Sequence, residues 1–268
     1  MHLQALELTS KQRTEFWENG FLVLPNVLQN DDLLTFQQSA TQALAEAADP
    51  KELESETGYP GAPLDEQKQG GKTVRRLLGA YQRSPLWQEW SSSPLIINSL
   101  QQLFQQSMVY LSQTHHNCLM TKSPQYSSDT GWHQDIRYWS FEQPELITAW
   151  LALGAEKNEN GGLWVVPGSH RLSFSTDQFD EQLFFRTDTE GNKMLLGKAQ
   201  QVPLNAGDLL FFHCRLLHSA SRNHTQTTKF SLVFTYHAEN NHPRPNTRSA
   251  SLTEIALPTK IDSTAENE

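Results

Sequence analysis

Residues 146–153 read Leu-Ile-Thr-Ala-Trp-Leu-Ala-Leu, the longest of several short apolar runs in the second half of the chain. Turn-forming residues separate these runs, and this spacing is typical of an antiparallel double sheet or barrel, not of alternating strand–helix–strand units. The other predicted strands are 108–111, 118–120, 163–166, 209–212 and 230–236. We therefore expect a mainly β fold with flanking α-helices.

The first hundred residues show the helical spacing of apolar residues instead. Ser10 is placed to cap the first helix, and a proline ends the short apolar run that follows it. Asn30 and Asp31 are the two candidates for the cap of the second helix. The predicted elements are a helix over 10–20, a strand over 21–25, a helix from 30 or 31 to 47, and a helix over 94–107.

Three polar stretches stand outside this pattern. Residues 50–72 are rich in glycine and proline and predict a long surface loop, and such loops in compact domains are often lids. Residues 172–200 form a polar insertion with aromatic residues, which predicts a second lid. Residues 239–268 are polar and poorly patterned, so we expect an irregular tail.

Composition narrows the class of protein. A length of 268 residues is compatible with a single barrel domain over 1–268. The chain has 21 Lys and Arg against 30 Asp and Glu, a net charge of −9, which argues against binding to nucleic acid or an anionic membrane. No run approaches the roughly 18 apolar residues of a membrane span. Two cysteines and the lack of a secretory signal pattern predict a cytoplasmic protein.

His133 and Asp135 form an H-x-D pair, the first sign of chemistry. On a strand, residues i and i+2 point to the same face, so both side chains would converge on one point. They supply two ligands of a facial triad, and a histidine from a distant strand would be the third. His218 is the best candidate, and His213 competes with it. An H-x-D pair alone is weak evidence, because such pairs occur by chance in many surface loops and the alternative makes His133 a core histidine bonded to a backbone carbonyl.

Lys229 follows His218 by eleven positions and enters an apolar strand. A cation in a buried strand needs an anionic partner, because an unpaired buried charge is costly. The carboxylate of an acid co-substrate would satisfy it. Alternatively, the flexible side chain extends its ammonium to water. Spacing alone leaves both interpretations open.

Four segments together resemble one family. Residues 133–139 (HQDIRYW) are similar to the iron-binding strand of the phytanoyl-CoA dioxygenase family, and residues 160–171 (NGGLWVVPGSHR) resemble its turn-and-strand signature. Residues 218–223 keep the distal histidine and the asparagine five residues later. Residues 16–25 resemble the opening helix and strand. The likeness spans roughly 10–237.

This resemblance implies a double-stranded β-helix (jelly-roll, cupin-like) fold that binds Fe(II) and uses 2-oxoglutarate and O2 as co-substrates. It implies that His133, Asp135 and His218 hold the metal. Lys229 falls where the family usually has an arginine that pairs with the distal carboxylate of 2-oxoglutarate. Lysine offers a point charge instead of a bidentate fork, which predicts weaker or altered binding of the oxo acid.

The resemblance also suggests further residues for the pocket. Trp150 matches an aromatic residue that flanks the co-substrate, and Arg75, preferred to Arg76, matches a basic residue that reaches the co-substrate or substrate. Tyr138 and Trp139 follow the iron strand and are candidates for the pocket wall.

The predicted local structure decides the roles expected for three further histidines. We expect a structural role for His170 in its glycine turn. His115 and His116 would point to opposite faces of a strand, so that at most one faces the pocket.

The function implied by the resemblance is that of a non-haem Fe(II)/2-oxoglutarate-dependent dioxygenase, which hydroxylates an unactivated C–H bond and releases succinate and CO2. The net negative charge favours a small polar or natural-product substrate over an acyl-CoA, although an acyl-CoA hydroxylase of the same family stays an alternative. A non-catalytic metal-binding sensor and a metal-dependent hydrolase or isomerase on a cupin-like barrel also stay open. The sequence leaves the oligomeric state and the choice among hydroxylation, desaturation and cyclisation undecided.

Overall fold

Two antiparallel β-sheets and a layer of helices make up residues 4–257, the part of the chain that the computed structural model describes. The helices in this part are α1 (Ser10–Asn19), α2 (Asn30–Glu46), α3 (Ala80–Arg83), α4 (Pro85–Ser91), α5 (Pro94–Phe104) and α6 (Glu190–Leu196). The strands are β1 (Phe21–Leu24), β2 (Lys51–Leu53), β3 (Val74–Leu78), β4 (Val109–Ser112), β5 (Cys118–Lys122), β6 (Thr130–His133), β7 (Leu146–Ala152), β8 (Leu163–Val165), β9 (Gln200–Gln201), β10 (Leu209–His213), β11 (His218–Ala220), β12 (Lys229–Ala238) and β13 (Ile255–Leu257).

The larger sheet has the order β1-β10-β7-β12-β5-β3-β2. Strand β12 is long enough to pair with two strands on one side, β5 along its first half and β4 along its second. The smaller sheet has the order β6-β11-β8-β9. Non-sequential neighbours in both sheets give the double-stranded β-helix that the family resemblance implies.

The alternation of side chains on β7 explains why the whole strand is buried. Trp150 points between the two sheets, where it belongs to the same buried apolar cluster as Val165 of the smaller sheet. Ala149 and Leu151 point to the opposite face, where the helices cover the larger sheet. Burial on both faces accounts for the continuous apolar run that marks this strand in the sequence.

The helix ends differ slightly from the sequence prediction. Thr9, not Ser10, caps α1, since its Oγ1 accepts the Gln12 N–H at 3.2 Å and Gln12 Oε1 accepts the Thr9 N–H at 2.9 Å. Neither Asn30 nor Asp31 caps α2, because both lie in its first turn. Helix α5 ends at Phe104, three residues early, where Gln105 adopts a left-handed conformation with φ 55°.

The predicted loop over 50–72 contains a short strand that the sequence analysis missed. Strand β2 pairs with β3 at the edge of the larger sheet. Its three residues are mostly polar and too few to show an apolar alternation. The insertion over 172–200 contains α6 and buries Phe179 and Phe185, so it is partly packed.

The prediction of an irregular tail is wrong at Ile255–Leu257, which form a strand; residues 239–254 have little regular structure apart from a 3₁₀ turn over Arg248–Ala250. Strand β13 pairs with β4, with Ile255 opposite Leu111 and Leu257 opposite Val109. Buried Ser249 accepts the Ser140 N–H at 2.8 Å, which ties this segment to the body of the fold. The backbone of β4 has unpaired groups on its outer side, and β13 satisfies them. Residues 258–268 lie outside the described residues, so the prediction there stays a prediction.

None of the helices within residues 4–257 has the length and apolar character needed to cross a membrane.

Candidate active site

The smaller sheet brings the three predicted metal ligands together at one end of the barrel. Strand β6 ends at His133 and β11 begins at His218, and the strand pairing sets these two residues directly opposite each other. The sequence interpretation placed Asp135 on the same strand as His133, but Asp135 lies just beyond the end of that strand. It begins a 3₁₀ turn over Asp135–Tyr138, and this turn directs its carboxylate back toward both imidazoles.

The geometry of these residues fits a single metal ion. Asp135 Oδ1 lies 3.7 Å from His133 Nε2 and 3.8 Å from His218 Nε2. The donor atoms all lie within 4.8 Å of one another. Two imidazoles and one carboxylate on neighbouring positions form the facial arrangement typical of non-haem Fe(II), which leaves other coordination positions open.

Backbone carbonyls orient both histidine rings. His133 Nδ1 lies 2.8 Å from the Gly131 carbonyl oxygen, and His218 Nδ1 lies 2.9 Å from that of Leu216. An N–H on each Nδ1 would donate to these carbonyls and leave each Nε2 lone pair free for a cation. This outer contact is the usual support of a metal-bound histidine.

The electrostatics of the site also fit a cation. Burial raises the pKa of Asp135 to about 6, although His218 and Arg76 oppose this rise. Burial and neighbouring His218 lower the pKa of His133 well below its ordinary value. Asp135 Oδ2 is buried and accepts no hydrogen bond from the described residues. A metal ion would compensate the charge of this carboxylate. It would also require neutral histidines, and burial favours that form.

His213, the competing third ligand, is excluded by its position on β10. His213 lies on the same face of β10 as Phe211, which faces the helices. Phe212 lies on the opposite face, toward the other sheet. The Nδ1 of His213 accepts the Arg215 N–H at 3.1 Å, and the His213 ring packs near Trp17. His170 is also structural, as predicted: its Nε2 lies 3.0 Å from the Trp17 carbonyl oxygen.

His116 is a site residue that the sequence analysis missed. The expectation that at most one of His115 and His116 faces the pocket depended on their lying on a strand; the pair lies in a bend instead, and both residues line the cavity. His116 Nδ1 is 3.7 Å from Asp135 Oδ2, and its ring meets the edge of Trp139. Two adjacent histidines were the signal available in the sequence.

The triad opens into a cavity of about 1260 Å³ between the sheets. All six residues predicted for the site line it, and so do the candidates Tyr138 and Trp139. Tyr59 from the first predicted lid and Phe184 from the second meet beside the triad, with ring centroids 5.0 Å apart. Phe184 also lies 6.0 Å from the His133 ring.

Lys229 has an internal partner that neither interpretation of the sequence anticipated. Its ammonium lies 2.9 Å from Glu156 Oε2, and both side chains are almost fully buried. It also donates to Ser231 Oγ at 3.0 Å. The ammonium does not reach bulk water, so the alternative of an extended side chain is wrong. The pairing with 2-oxoglutarate stays a prediction.

Trp150 completes this buried polar cluster. Its indole N–H donates to Glu156 Oε1 at 3.0 Å, and its ring lies 5.1 Å from the Lys229 ammonium. The aromatic ring therefore lies on the cavity wall beside the lysine.

Arg75 and Arg76 share one carboxylate. Arg75 donates to Glu52 Oε1 at 2.7 Å and to Thr130 Oγ1 at 3.2 Å, and Arg76 also forms an ion pair with Glu52. These partners hold both guanidinium groups at the cavity. The choice of Arg75 over Arg76 as the group that reaches a ligand stays a prediction.

Comparison with known proteins places the chain in a family. The family profile of phytanoyl-CoA dioxygenase matches residues 16–231, most of the chain. This protein belongs to the phytanoyl-CoA dioxygenase family. The resemblance of the four sequence segments is thereby confirmed.

Individual relatives are distant. The chain is 27% identical over 233 residues to the peroxisomal phytanoyl-CoA dioxygenase of Mus musculus. The alignment covers 82% of this chain and 65% of that protein. The chain is 24% identical over 263 residues to L-proline trans-4-hydroxylase of Streptomyces griseoviridis, with 91% of each covered. The chain thus spans a little under two thirds of the mammalian enzyme.

A solved structure shares the fold. The EctD protein of S. alaskensis, crystallised with 2-oxoglutarate and 5-hydroxyectoine, has a TM-score of 0.75 and 19% sequence identity. The match covers 90% of this chain and 82% of that one. It confirms the double-stranded β-helix.

Proposed function

We propose that this protein is a non-haem Fe(II)/2-oxoglutarate-dependent dioxygenase that hydroxylates an unactivated C–H bond of a small molecule. The observation that carries the proposal is the convergence of His133, Asp135 and His218 in a family member. The alternative of a metal-dependent hydrolase or isomerase on a cupin-like barrel would need no oxo acid in the site. The buried cations beside the triad favour a site for an acid.

A bound Fe(II) would supply the oxidant together with 2-oxoglutarate and O2, with succinate and CO2 as the other products. His133 and His218 would hold the metal through Nε2, and Asp135 would hold it through a carboxylate oxygen. Trp150 and Lys229 form the wall that faces the far carboxylate of the oxo acid. Arg75 lies at the cavity edge, where it reaches the co-substrate or the substrate. Tyr59 and Phe184, whose rings meet beside the triad, would shield the metal from water.

The substrate that we propose is small and polar or a natural-product intermediate. Glu52 neutralises one charge of Arg75 and Arg76, so this pair contributes a net single positive charge to the cavity. One positive charge suits a substrate with one acidic group. An acyl-CoA carries several phosphate charges, and the net charge of −9 opposes its approach. The relative that hydroxylates L-proline is an example of a small polar substrate in a related chain.

A cytoplasmic location is part of the same proposal. Cys118 and Cys214 are both free and buried, which fits a reducing compartment.

Formation of succinate tests the proposal. Protein loaded with Fe(II) is incubated with 2-oxoglutarate, O2 and a panel of amino acids and other small polar acids. We expect succinate above the background in proportion to the O2 consumed, and a hydroxylated product with the correct substrate. Metal binding without any succinate supports the binding-module alternative, and turnover of a substrate without O2 supports a hydrolase or isomerase.

A further inference from the structure

A second pocket lies behind the metal site, and Arg137 and Arg215 line it. Its volume is about 320 Å³, at the lower end of the range for small-molecule sites. Gln134 forms part of its wall, whereas the neighbouring His133 and Asp135 line the large cavity. The two cavities share no lining residue, so the pocket is separate from the proposed active site.

The two arginines of this pocket have no acidic partner. No carboxylate of residues 4–257 lies within ion-pair distance of Arg137 or Arg215, although four other arginines of this part form ion pairs: Arg75, Arg76, Arg186 and Arg222. Burial and the charge of Arg215 lower the pKa of Arg137, so the two guanidinium groups repel each other. This uncompensated pair of cations stands out in a chain of net charge −9.

Arg137 is held in one orientation by three contacts. It donates from Nη2 to the Phe174 carbonyl oxygen at 3.3 Å and from Nε to Gln134 Oε1 at 3.4 Å. Its Cζ lies 3.5 Å from the centroid of the Phe179 ring, a cation–π contact. A guanidinium has five N–H donors, so Arg137 keeps donors for a ligand.

Arg215 is fixed in a similar way. Its Nη2 donates to the Leu172 carbonyl oxygen at 2.7 Å, and its backbone N–H donates to His213 Nδ1 at 3.1 Å. The side chain of Gln134 also contacts the Arg215 carbonyl oxygen. Both arginines are therefore ordered before a ligand arrives, which lowers the entropic cost of binding.

The charge and the donors of this pocket identify its ligand. We propose that Arg137 and Arg215 bind the phosphate group of a small molecule, either inorganic phosphate or a phosphomonoester. Guanidinium groups match phosphate oxygens with paired N–H donors. A phosphomonoester carries about 1.5 to 2 negative charges at neutral pH, which compensates both arginines, whereas a single carboxylate compensates one. Ser173 also lines the pocket and offers a hydroxyl group.

A phosphate in this pocket would join three segments of the fold. Arg137 belongs to the turn that begins at Asp135, and Arg215 lies in the connection between β10 and β11, which begins at His218. Leu172 and Phe174 begin the 172–200 insertion, and Phe184 of the same insertion lies 6.0 Å from the His133 ring. The site goes beyond the proposed oxygenase function, because its ligand would fasten the insertion against the metal site without entering the reaction.

Isothermal titration of the metal-free protein with inorganic phosphate tests the proposal. The ionic strength is held constant with chloride, because salt screens exposed charges. The variants are Arg137→Met and Arg215→Met, and the control is Arg186→Met, at an exposed arginine whose charge Asp188 already compensates. We expect one phosphate per chain, with binding weakened roughly 10- to 100-fold in each of the two variants and unchanged in the control.

A parallel titration with glycerol 3-phosphate distinguishes the two sources of the phosphate group. Tighter binding of the ester identifies a phosphomonoester as the ligand, and tighter binding of inorganic phosphate identifies the free ion.

Three results would overturn the proposal. Absence of saturable binding, or undiminished binding in both variants, would mean that the arginines only tie the insertion to the fold through its carbonyl groups. An equal loss in Arg186→Met would mean that phosphate responds to the overall charge alone. Loss of phosphate binding after saturation with Mn(II) and 2-oxoglutarate would place the phosphate in the large cavity. None of these results bears on the proposed oxygenase function, which succinate formation tests separately.

Hydrogen exchange of the unchanged protein covers the case in which the variants do not fold. Phosphate should slow the exchange of backbone amides in residues 134–137, 172–174 and 213–216 more than elsewhere, because a ligand suppresses local opening of the segments that it joins. Protection that is absent, or equal along the whole chain, would refute the site.

Discussion

Asp135 is the residue on which the metal site depends most. It is the one carboxylate of the triad, its buried Oδ2 has no hydrogen-bond partner among the described residues, and both histidines approach its Oδ1. Asp135→Gly removes the charged ligand. We expect turnover to fall by more than about 100-fold, beyond the loss that outer partners of a metal site cause.

Succinate formation with and without the substitution measures this effect. Asp188→Gly, at an exposed carboxylate that forms an ion pair with Arg186, is the matched control and should keep full activity. Retained turnover in Asp135→Gly would refute the assignment of the triad.

Glu156 shows what the sequence could not predict at the scale of one residue. The need of Lys229 for an anion follows from its burial in an apolar strand. Its partner, however, is 73 positions away on a connection that leads to β8. No spacing rule links two such residues, because the fold alone brings them together.

Replacing Glu156 with glutamine tests the value of this ion pair. The variant leaves the Lys229 ammonium buried without its counter-charge, and breaking a buried pair in this way typically costs 3–5 kcal/mol. We expect the free energy of unfolding in urea to fall by about 3 kcal/mol or more. Glu159→Gln, at an exposed neighbour, should change it by less than about 0.5 kcal/mol. A similar small change in Glu156→Gln would show that the pair contributes little.

At the scale of the element, the apolar runs predicted the central strands well. The six runs correspond to β4, β5, β7, β8, β10 and β12 within two residues at each end, because strands covered on both faces are continuously apolar. The short edge strands β2 and β13 were missed. Their pairing depends on the neighbouring strand and not on their own pattern.

The convergence of His133 and Asp135 arises at this scale for a different reason than the one predicted. His133 and Asp135 were expected to share a strand face, yet the strand ends between them. The 3₁₀ turn preserves the convergence that alternation would have produced. His116 was missed because its bend departs from the strand geometry on which the prediction depended.

Gly161 provides a test of the turn before β8. Its φ of +81° lies in the left-handed region, and a Cβ would meet Lys122 Cδ and the Ser221 carbonyl oxygen at 2.5 Å. Gly161→Ala should therefore lower the free energy of unfolding by about 1–3 kcal/mol. Gly154→Ala is the control, since a Cβ there meets nothing within 4 Å. Equal stability of the two variants, measured by urea unfolding, would contradict this account of the turn.

At the scale of the whole molecule, buried neutral histidines make stability depend on pH. Burial lowers the pKa of His115 and of His213 to about 3. Between about pH 6.5 and pH 3 the unfolded chain binds protons at these sites and the folded chain does not, so stability falls as the pH falls. Each histidine contributes a slope of about 1.4 kcal/mol per pH unit in this window.

Urea unfolding between about pH 6.5 and pH 4.5 measures this slope, and the range avoids most carboxylate titration. We expect His115→Asn to reduce the slope by about 1.4 kcal/mol per pH unit. A slope that is unchanged by the substitution would mean that His115 is protonated in the folded protein.

The central claim is that one metal ion and one oxo acid bind together at His133, Asp135 and His218. Anaerobic titration of the metal-free protein with Fe(II) and then 2-oxoglutarate tests it most directly, through the visible charge-transfer band of the iron–oxo acid chelate. We predict that the band forms only when both are present and that Lys229→Ala weakens it. Iron bound without a band would contradict the oxygenase assignment, and no bound iron would contradict the metal site itself.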